Sequence, residues 1–140
     1  LYSQLVHSTD ETLAAIAAKA LKEVQYHQDH ASQWLLRLGM GTEESHRRMQ
    51  EGLYYMWPYI DELFIDDAVT ETLPGVAVQP SSLRENFDRR IKKMIDEATL
   101  DVPNVKPAWG GDRSGRFSEA RGHILAEMQV LARQHPGASW

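Results

Sequence analysis

The chain contains no cysteine, no long apolar run and no excess of positive charge. The lack of cysteine excludes disulfides, zinc–thiolate sites, iron–sulfur clusters and thiol nucleophiles. No apolar run approaches the ~20 residues that cross a bilayer, and residues 1–4 do not resemble the start of a signal peptide. The net charge of -5 argues against nucleic acid, because phosphate binding is mainly cationic. We therefore expect a cytoplasmic protein without a membrane or nucleic-acid partner.

The residues that are present have ordinary globular composition, with 42% hydrophobic and 25% charged residues in a length of 140. Apolar residues recur at three-to-four spacing, and no segment alternates as a strand would. The sequence predicts an all-α protein with one helical domain over residues 1–140. Because the chain does not begin with methionine, we expect it to be part of a longer protein.

Four main helices are predicted from the apolar stripes and their flanking residues. They span residues 10–38, 42–64, 81–98 and 118–134, with a short extension at 66–73. Pro58 is expected to kink the second helix, and Ser82 with Glu85 has the spacing of a capping box for the third. Residues 100–116 form a long loop containing three glycines and two prolines.

A possible metal or structural site lies in the middle of the first helix. Glu23 and His27 are i,i+4 neighbours, and His30 follows three residues later, so three potential ligands share one side. Oxygen-activating di-iron bundles carry Glu-x-x-His on such helices. Here Tyr26 occupies the third position after Glu23. The alternative favoured by the residues alone is a buried Glu23–His27 polar pair that fixes helix packing.

The fourth helix carries a similar arrangement of side chains. Glu119, His123 and Glu127 form an i,i+4 series beside its apolar stripe. If it faces the first helix, two histidines and several carboxylates would meet, a set suited to iron or manganese. If metal is present, the first candidates are Glu23, His27, His123 and Glu127. Such series are also common on solvated helix faces.

The loop at residues 106–116 is basic and glycine-rich and precedes a helix N-terminus. Anions bind well at such positions, so a phosphate-bearing ligand such as coenzyme A is one interpretation. A simple flexible connection is the other. The loop lacks the Gly-Lys-Ser/Thr ending of a P-loop.

Several segments together resemble the PaaC family over residues 13–140. The carrying segments are LAAIAAKALKEVQYH at 13–27, WLLRLG at 34–39 with Gly41-Thr42, DEATL at 96–100, LAEMQ at 125–129 and the ending at 136–140. The resemblance implies a ferritin-like helical bundle, of which this chain would supply the C-terminal helices. PaaC is the structural subunit of the ring-1,2-phenylacetyl-CoA epoxidase of aerobic phenylacetate degradation.

The resemblance also implies where the chemistry takes place. A PaaA-like catalytic subunit holds the di-iron centre and binds phenylacetyl-CoA, and a reductase subunit supplies electrons from NADPH. The chain itself would hold no catalytic residue, cofactor or metal. Tyr26, at the position where a di-iron relative has histidine, agrees with a lost metal site.

The function expected from the resemblance is that of a non-catalytic subunit that supports the catalytic one. The alternatives are a metal-binding oxygenase in its own right and a free-standing helical interaction module. Because the resemblance implies further N-terminal helices, the apolar stripes would lack part of their cover. We therefore expect the 140-residue chain to self-associate or to retain an N-terminal piece.

Overall fold

The computed structural model describes residues 1–108, 115 and 117–139, and every regular element among them is helical. The α-helices in chain order are α1 (Tyr2–Leu5), α2 (Glu11–Gly39), α3 (Glu43–Met56), α4 (Ala68–Glu71), α5 (Arg84–Glu97), α6 (Glu119–Met128) and α7 (Val130–Gln134). Three 3₁₀ turns span Trp57–Tyr59, Asp61–Phe64 and Pro80–Leu83. The all-α prediction is confirmed, and it is consistent with a ferritin-like helical bundle.

The contacts divide the chain into two compact units, Leu1–Pro107 and Ala108–Trp140. In the first unit, α2 packs against α1, α3 and α5. The second unit contains α6 and α7. The single domain expected from the sequence stays a prediction.

The long helix α2 is defined at both ends by specific contacts. The Asp10 carboxylate accepts a hydrogen bond from the Leu13 amide at 2.8 Å, which satisfies one free N–H of the first turn. At the other end Gly39 lies against Ala98, and a Cβ on Gly39 would be 2.5 Å from the Ala98 carbonyl oxygen. The predicted helix at 10–38 is therefore confirmed to within one residue.

The corner between α2 and α3 is fixed by side chains of α3. The Ser45 hydroxyl donates to the Leu38 carbonyl at 2.8 Å, and His46 Nδ1 lies 2.6 Å from the Gly39 carbonyl. Thr42 accepts a hydrogen bond from the Ser45 amide at 3.2 Å. Ser45 and His46 thus satisfy carbonyls at the end of α2, and Thr42 satisfies an N–H at the start of α3.

Three local predictions were wrong in detail. The helix expected at 42–64 ends as an α-helix at Met56 and continues as 3₁₀ turns, because Pro58 has no N–H to donate. The Ser82–Glu85 capping box is not formed, since the Ser82 hydroxyl donates to the Gln79 carbonyl at 2.6 Å. The helix expected at 118–134 is interrupted at Gln129, between α6 and α7.

The buried core of the first unit is small. Ile95, Ala98 and Leu100 form its centre. Partly buried residues of α2, α3, α5 and the turn after α3 surround it: Leu35, Leu36, Met49, Leu53, Ile91 and Trp57. Within the described residues, Ile95 is the one large side chain that is fully buried. The core therefore lies where the C-terminal parts of α2 and α5 meet α3, and much of α2 beyond it is exposed.

Candidate functional site

The Glu23–His27 pair predicted from the sequence does form a contact on α2. His27 Nε2 lies 3.2 Å from a Glu23 carboxylate oxygen. The expected burial is wrong for this structure, because the two side chains are 64% and 73% exposed. The apolar residues of α2 that pack inward lie mainly on another side of the helix, facing α5 and α1. A role of the pair in helix packing stays a prediction.

An aromatic strip runs along the same exposed part of α2. We define the α2 strip as Tyr26, His30, Trp34 and Arg37, which succeed one another at i,i+4 or i,i+3 spacing. The rings of Tyr26 and His30 are stacked with centroids 6.3 Å apart, and those of His30 and Trp34 lie 6.4 Å apart. The Arg37 guanidinium lies over the Trp34 ring, 5.6 Å from its centroid.

One hydrogen bond orients the centre of the α2 strip. Trp34 Nε1 donates to His30 Nε2 at 3.0 Å. An indole N–H only donates, so the His30 ring nitrogen is the acceptor in this contact. These contacts within α2 orient the rings relative to one another on the helix surface.

Two aromatic side chains of the α2 strip are exposed. Tyr26 is 67% exposed and Trp34 is 46% exposed. Tyrosine, tryptophan and arginine are enriched at the centres of protein interfaces, where they contribute most of the binding energy. The residue types of the strip are therefore those typical of protein interfaces. The three-to-four spacing of Trp34 with the apolar residues of α2 would predict a core position, whereas the i,i+4 spacing of residues 26, 30 and 34 is the sequence signal for the strip.

The second predicted ligand series lies in the other unit. His123 Nε2 is 4.0 Å from a Glu119 carboxylate oxygen, with side chains 80% and 94% exposed. Glu127 is exposed as well. In the described part of this unit, Arg121 stacks on Phe117 with its guanidinium carbon 3.6 Å from the ring centroid. The helices α2 and α6 belong to different units. The metal site that would combine their side chains therefore stays a prediction.

The described residues do not assemble a set of metal ligands. Among them, no group of three or more histidine, aspartate or glutamate side chains is placed to hold an ion. Glu23 and His27 supply two donors on one exposed helix face, fewer than a di-iron centre needs. Most of the loop at 106–116 lies outside the described residues, so its proposed contact with coenzyme A stays a prediction.

Two comparisons with known proteins agree with one another. A family model described as phenylacetic acid catabolic protein matches residues 1–140. The chain is also 42% identical over 144 residues to the C subunit of the 1,2-phenylacetyl-CoA epoxidase of Escherichia coli strain K12. The match covers 100% of the chain and 57% of that relative, so the chain spans less than two thirds of the relative's length.

The fold of the described residues defines an all-helical protein. The two matches identify its family. It belongs to the phenylacetic acid catabolic protein family. The resemblance to the PaaC family found in the sequence is confirmed. Within the described residues, no helix is both long and apolar enough to cross a membrane.

Proposed function

We propose that this chain is part of a non-catalytic subunit of a phenylacetyl-CoA epoxidase and that it binds and supports the catalytic subunit in the cytoplasm. The observation that carries the proposal is the 42% identity to the C subunit of the Escherichia coli epoxidase, over the full length of this chain. The identity extends over both structural units and over the helix that carries Glu23 and Tyr26.

The non-catalytic role is supported by the side chains of α2. Tyr26 stands where the Glu-x-x-His pattern requires histidine, and its ring stacks on His30 instead. Glu23 contacts His27, one residue beyond the ligand position. In this proposal the di-iron centre and the substrate site belong to a PaaA-like subunit, and the reductase cofactors belong to a further subunit.

The binding role is supported by the exposure of the α2 strip. Tyrosine and tryptophan side chains that are already held by ring contacts lose little conformational freedom when a partner covers them. The same is not true of long flexible side chains, which lose rotamer entropy on binding. We assign the strip to the contact with the catalytic subunit.

The test is reconstitution of epoxidase activity from separately purified subunits, with iron measured in each. We expect phenylacetyl-CoA turnover to fall to background when this subunit is omitted and to return on its addition. Iron is expected to accompany the catalytic subunit. Stoichiometric iron in this subunit, lost in a His27→Ala variant, would instead identify a metal-binding oxygenase.

A further inference from the structure

Trp34 and His30 are joined by a hydrogen bond between their rings. Trp34 Nε1 donates to His30 Nε2 at 3.0 Å, and the two ring centroids lie 6.4 Å apart at an angle of 67°. The contact places the indole N–H proton directly against the lone pair of an imidazole nitrogen. Imidazole is the group that accepts protons most often in protein chemistry, and the distance is within the range from which a proton transfers directly.

The acidity of an indole N–H depends on the oxidation state of its ring. The neutral ring keeps its proton, and the N–H acts only as a hydrogen-bond donor. Loss of one electron leaves a positive charge on the ring, and a positively charged ring holds its proton much more weakly. The hydrogen-bonded imidazole of His30 can then accept the proton from Trp34 without rearrangement of either side chain.

Two further residues of the α2 strip favour this transfer. The guanidinium carbon of Arg37 lies 5.6 Å from the centroid of the Trp34 ring. A second positive charge on that ring would be repelled by the guanidinium, so loss of the proton relieves the repulsion. Tyr26 stacks on His30 with centroids 6.3 Å apart, and the quadrupole of an aromatic ring attracts a neighbouring cation. A positive charge is therefore better placed on His30 than on Trp34.

We propose that Trp34 and His30 form a redox-active pair, in which Trp34 loses an electron to an oxidant and a proton to His30. A one-electron oxidant, organic or metal-centred, takes the electron from the Trp34 ring and is itself reduced by one electron. The Nε1–H bond of Trp34 breaks as an N–H bond forms at His30 Nε2, which leaves a neutral indolyl radical beside an imidazolium. A one-electron reductant reverses the step, and the proton returns to Trp34.

The pair lies where an oxidant can reach it. Trp34 is 46% exposed and His30 is exposed as well, so an oxidant in solution or on a partner can touch the ring directly. The biological role rests on the proposed function. If the α2 strip contacts an oxygen-using catalytic subunit, the pair supplies an electron donor at that contact, where it reduces stray oxidants before they damage either subunit.

The experiment is flash photolysis of the 140-residue chain, with a ruthenium polypyridyl complex as photo-oxidant and a cobalt(III) ammine as its quencher. Transient absorption follows the indolyl radicals, because their neutral and cationic forms absorb at different wavelengths. Trp34→Phe measures the signal of the other tryptophans and tyrosines, and its subtraction isolates Trp34. His30→Phe keeps a ring at that position and removes the proton acceptor. His7→Phe is the matched control, since His7 is exposed and contacts no tryptophan within the described residues.

In the parent and in His7→Phe, Trp34 is expected to give the neutral radical directly and to react more slowly in deuterated water. In His30→Phe we expect oxidation of Trp34 to be about tenfold slower or more, to pass through the radical cation and to lose the solvent isotope effect. Equal rates and isotope effects in the parent and His30→Phe would overturn the proposal, because water would then be the proton acceptor. The absence of any signal that depends on Trp34 would overturn it as well.

Arg37→Gln separates the proposed chemistry from a general disturbance of the helix. Removal of the guanidinium charge should speed the oxidation of Trp34, whereas loss of the ring contacts would slow it. An equal or slower rate in Arg37→Gln would contradict the electrostatic argument for the coupled step. The photolysis needs no epoxidase partner, so its failure is distinguishable from failure of the reconstitution.

Discussion

Among the described glycines, Gly39 is the one at which an added Cβ would lie closest to backbone atoms. Any side chain at this position would meet the backbone of Ala98, which is itself fully buried. The contact joins the last turn of α2 to the end of α5, directly beside the small core. Gly39 is thus required by packing rather than by backbone conformation.

Replacement of Gly39 by alanine is expected to destabilise the protein by about 1–3 kcal/mol, because the added Cβ must displace backbone atoms of Ala98. Gly52 is the matched control. It lies within α3, and a Cβ there would meet nothing within 4 Å. Gly52→Ala should therefore stabilise by about 0.5–1 kcal/mol. Urea unfolding measures both changes, and equal effects at the two positions would contradict the packing argument.

Asp66 provides a pH-dependent contribution to stability. The hydroxyl of Ser81 and then its backbone N–H, at 2.8 Å, donate to the Asp66 carboxylate and lower its pKa below the ordinary value. A carboxylate whose pKa is lower in the folded than in the unfolded protein stabilises the fold when it is ionised. For an aspartate this contribution is fully present above the pKa of the unfolded state, about 3.9, and is lost as the pH falls through the pKa of the folded state.

Asp66→Asn is therefore expected to reduce the free energy of unfolding at about pH 6, and the difference from the parent should narrow towards about pH 3. Ser81→Ala removes the hydroxyl donor, the main cause of the lowered pKa, and should give the same trend more weakly. Urea unfolding at several pH values measures both variants. A difference from the parent that stays constant with pH would show that the carboxylate charge is not involved.

Among the elements, the 3₁₀ turn Asp61–Phe64 is joined to α5 by Arg84. Its guanidinium donates to Asp61 at 2.5 Å and to Asp88 at 2.8 Å, and it lies over the Phe64 ring at 5.2 Å from the centroid. Phe64 in turn packs on Phe87 with centroids 5.1 Å apart. One side chain thus connects the segment after Pro58 to the next long helix.

Arg84→Ala is expected to lower the free energy of unfolding by about 1 kcal/mol. The value is modest because the Arg84 side chain is 42% exposed and solvent screens its ion pairs. Arg89→Ala is the control, since Arg89 contacts only Glu85 on its own helix within the described residues. Arg89→Ala should lower the free energy of unfolding by only about 0.2–0.5 kcal/mol. Thermal unfolding measures the stability of both variants. An equal loss of stability would show that the contacts of Arg84 with the 3₁₀ turn do not stabilise the protein.

The elements also show how far the sequence predicts the fold. The bounds of α2 follow from a continuous apolar stripe with Asp10 before it and Gly39 at its end. The segment after Met56 could not be predicted in the same way, because apolar spacing alone does not distinguish a kinked α-helix from 3₁₀ turns. The Ser82–Glu85 pattern failed because local turn hydrogen bonds of Ser82 competed with capping.

For the molecule as a whole, the candidate site was only partly predictable. The Glu23–His27 contact follows from i,i+4 spacing, but its exposure does not, since the sequence of one helix does not say which neighbours cover it. The α2 strip could not be predicted from the sequence for the same reason. Trp34 has the spacing of a core residue, and yet its side chain is 46% exposed. What covers a helix is decided by the other elements and chains of the assembly.

We propose that this chain binds the catalytic subunit of an epoxidase through the α2 strip. The most direct measurement is the dissociation constant between the two subunits for the parent, Trp34→Ala and Lys22→Ala proteins. We expect binding by the parent and by Lys22→Ala to be equal, and binding by Trp34→Ala to be about tenfold weaker or more. No binding by the parent, or equal binding by all three, would contradict the account.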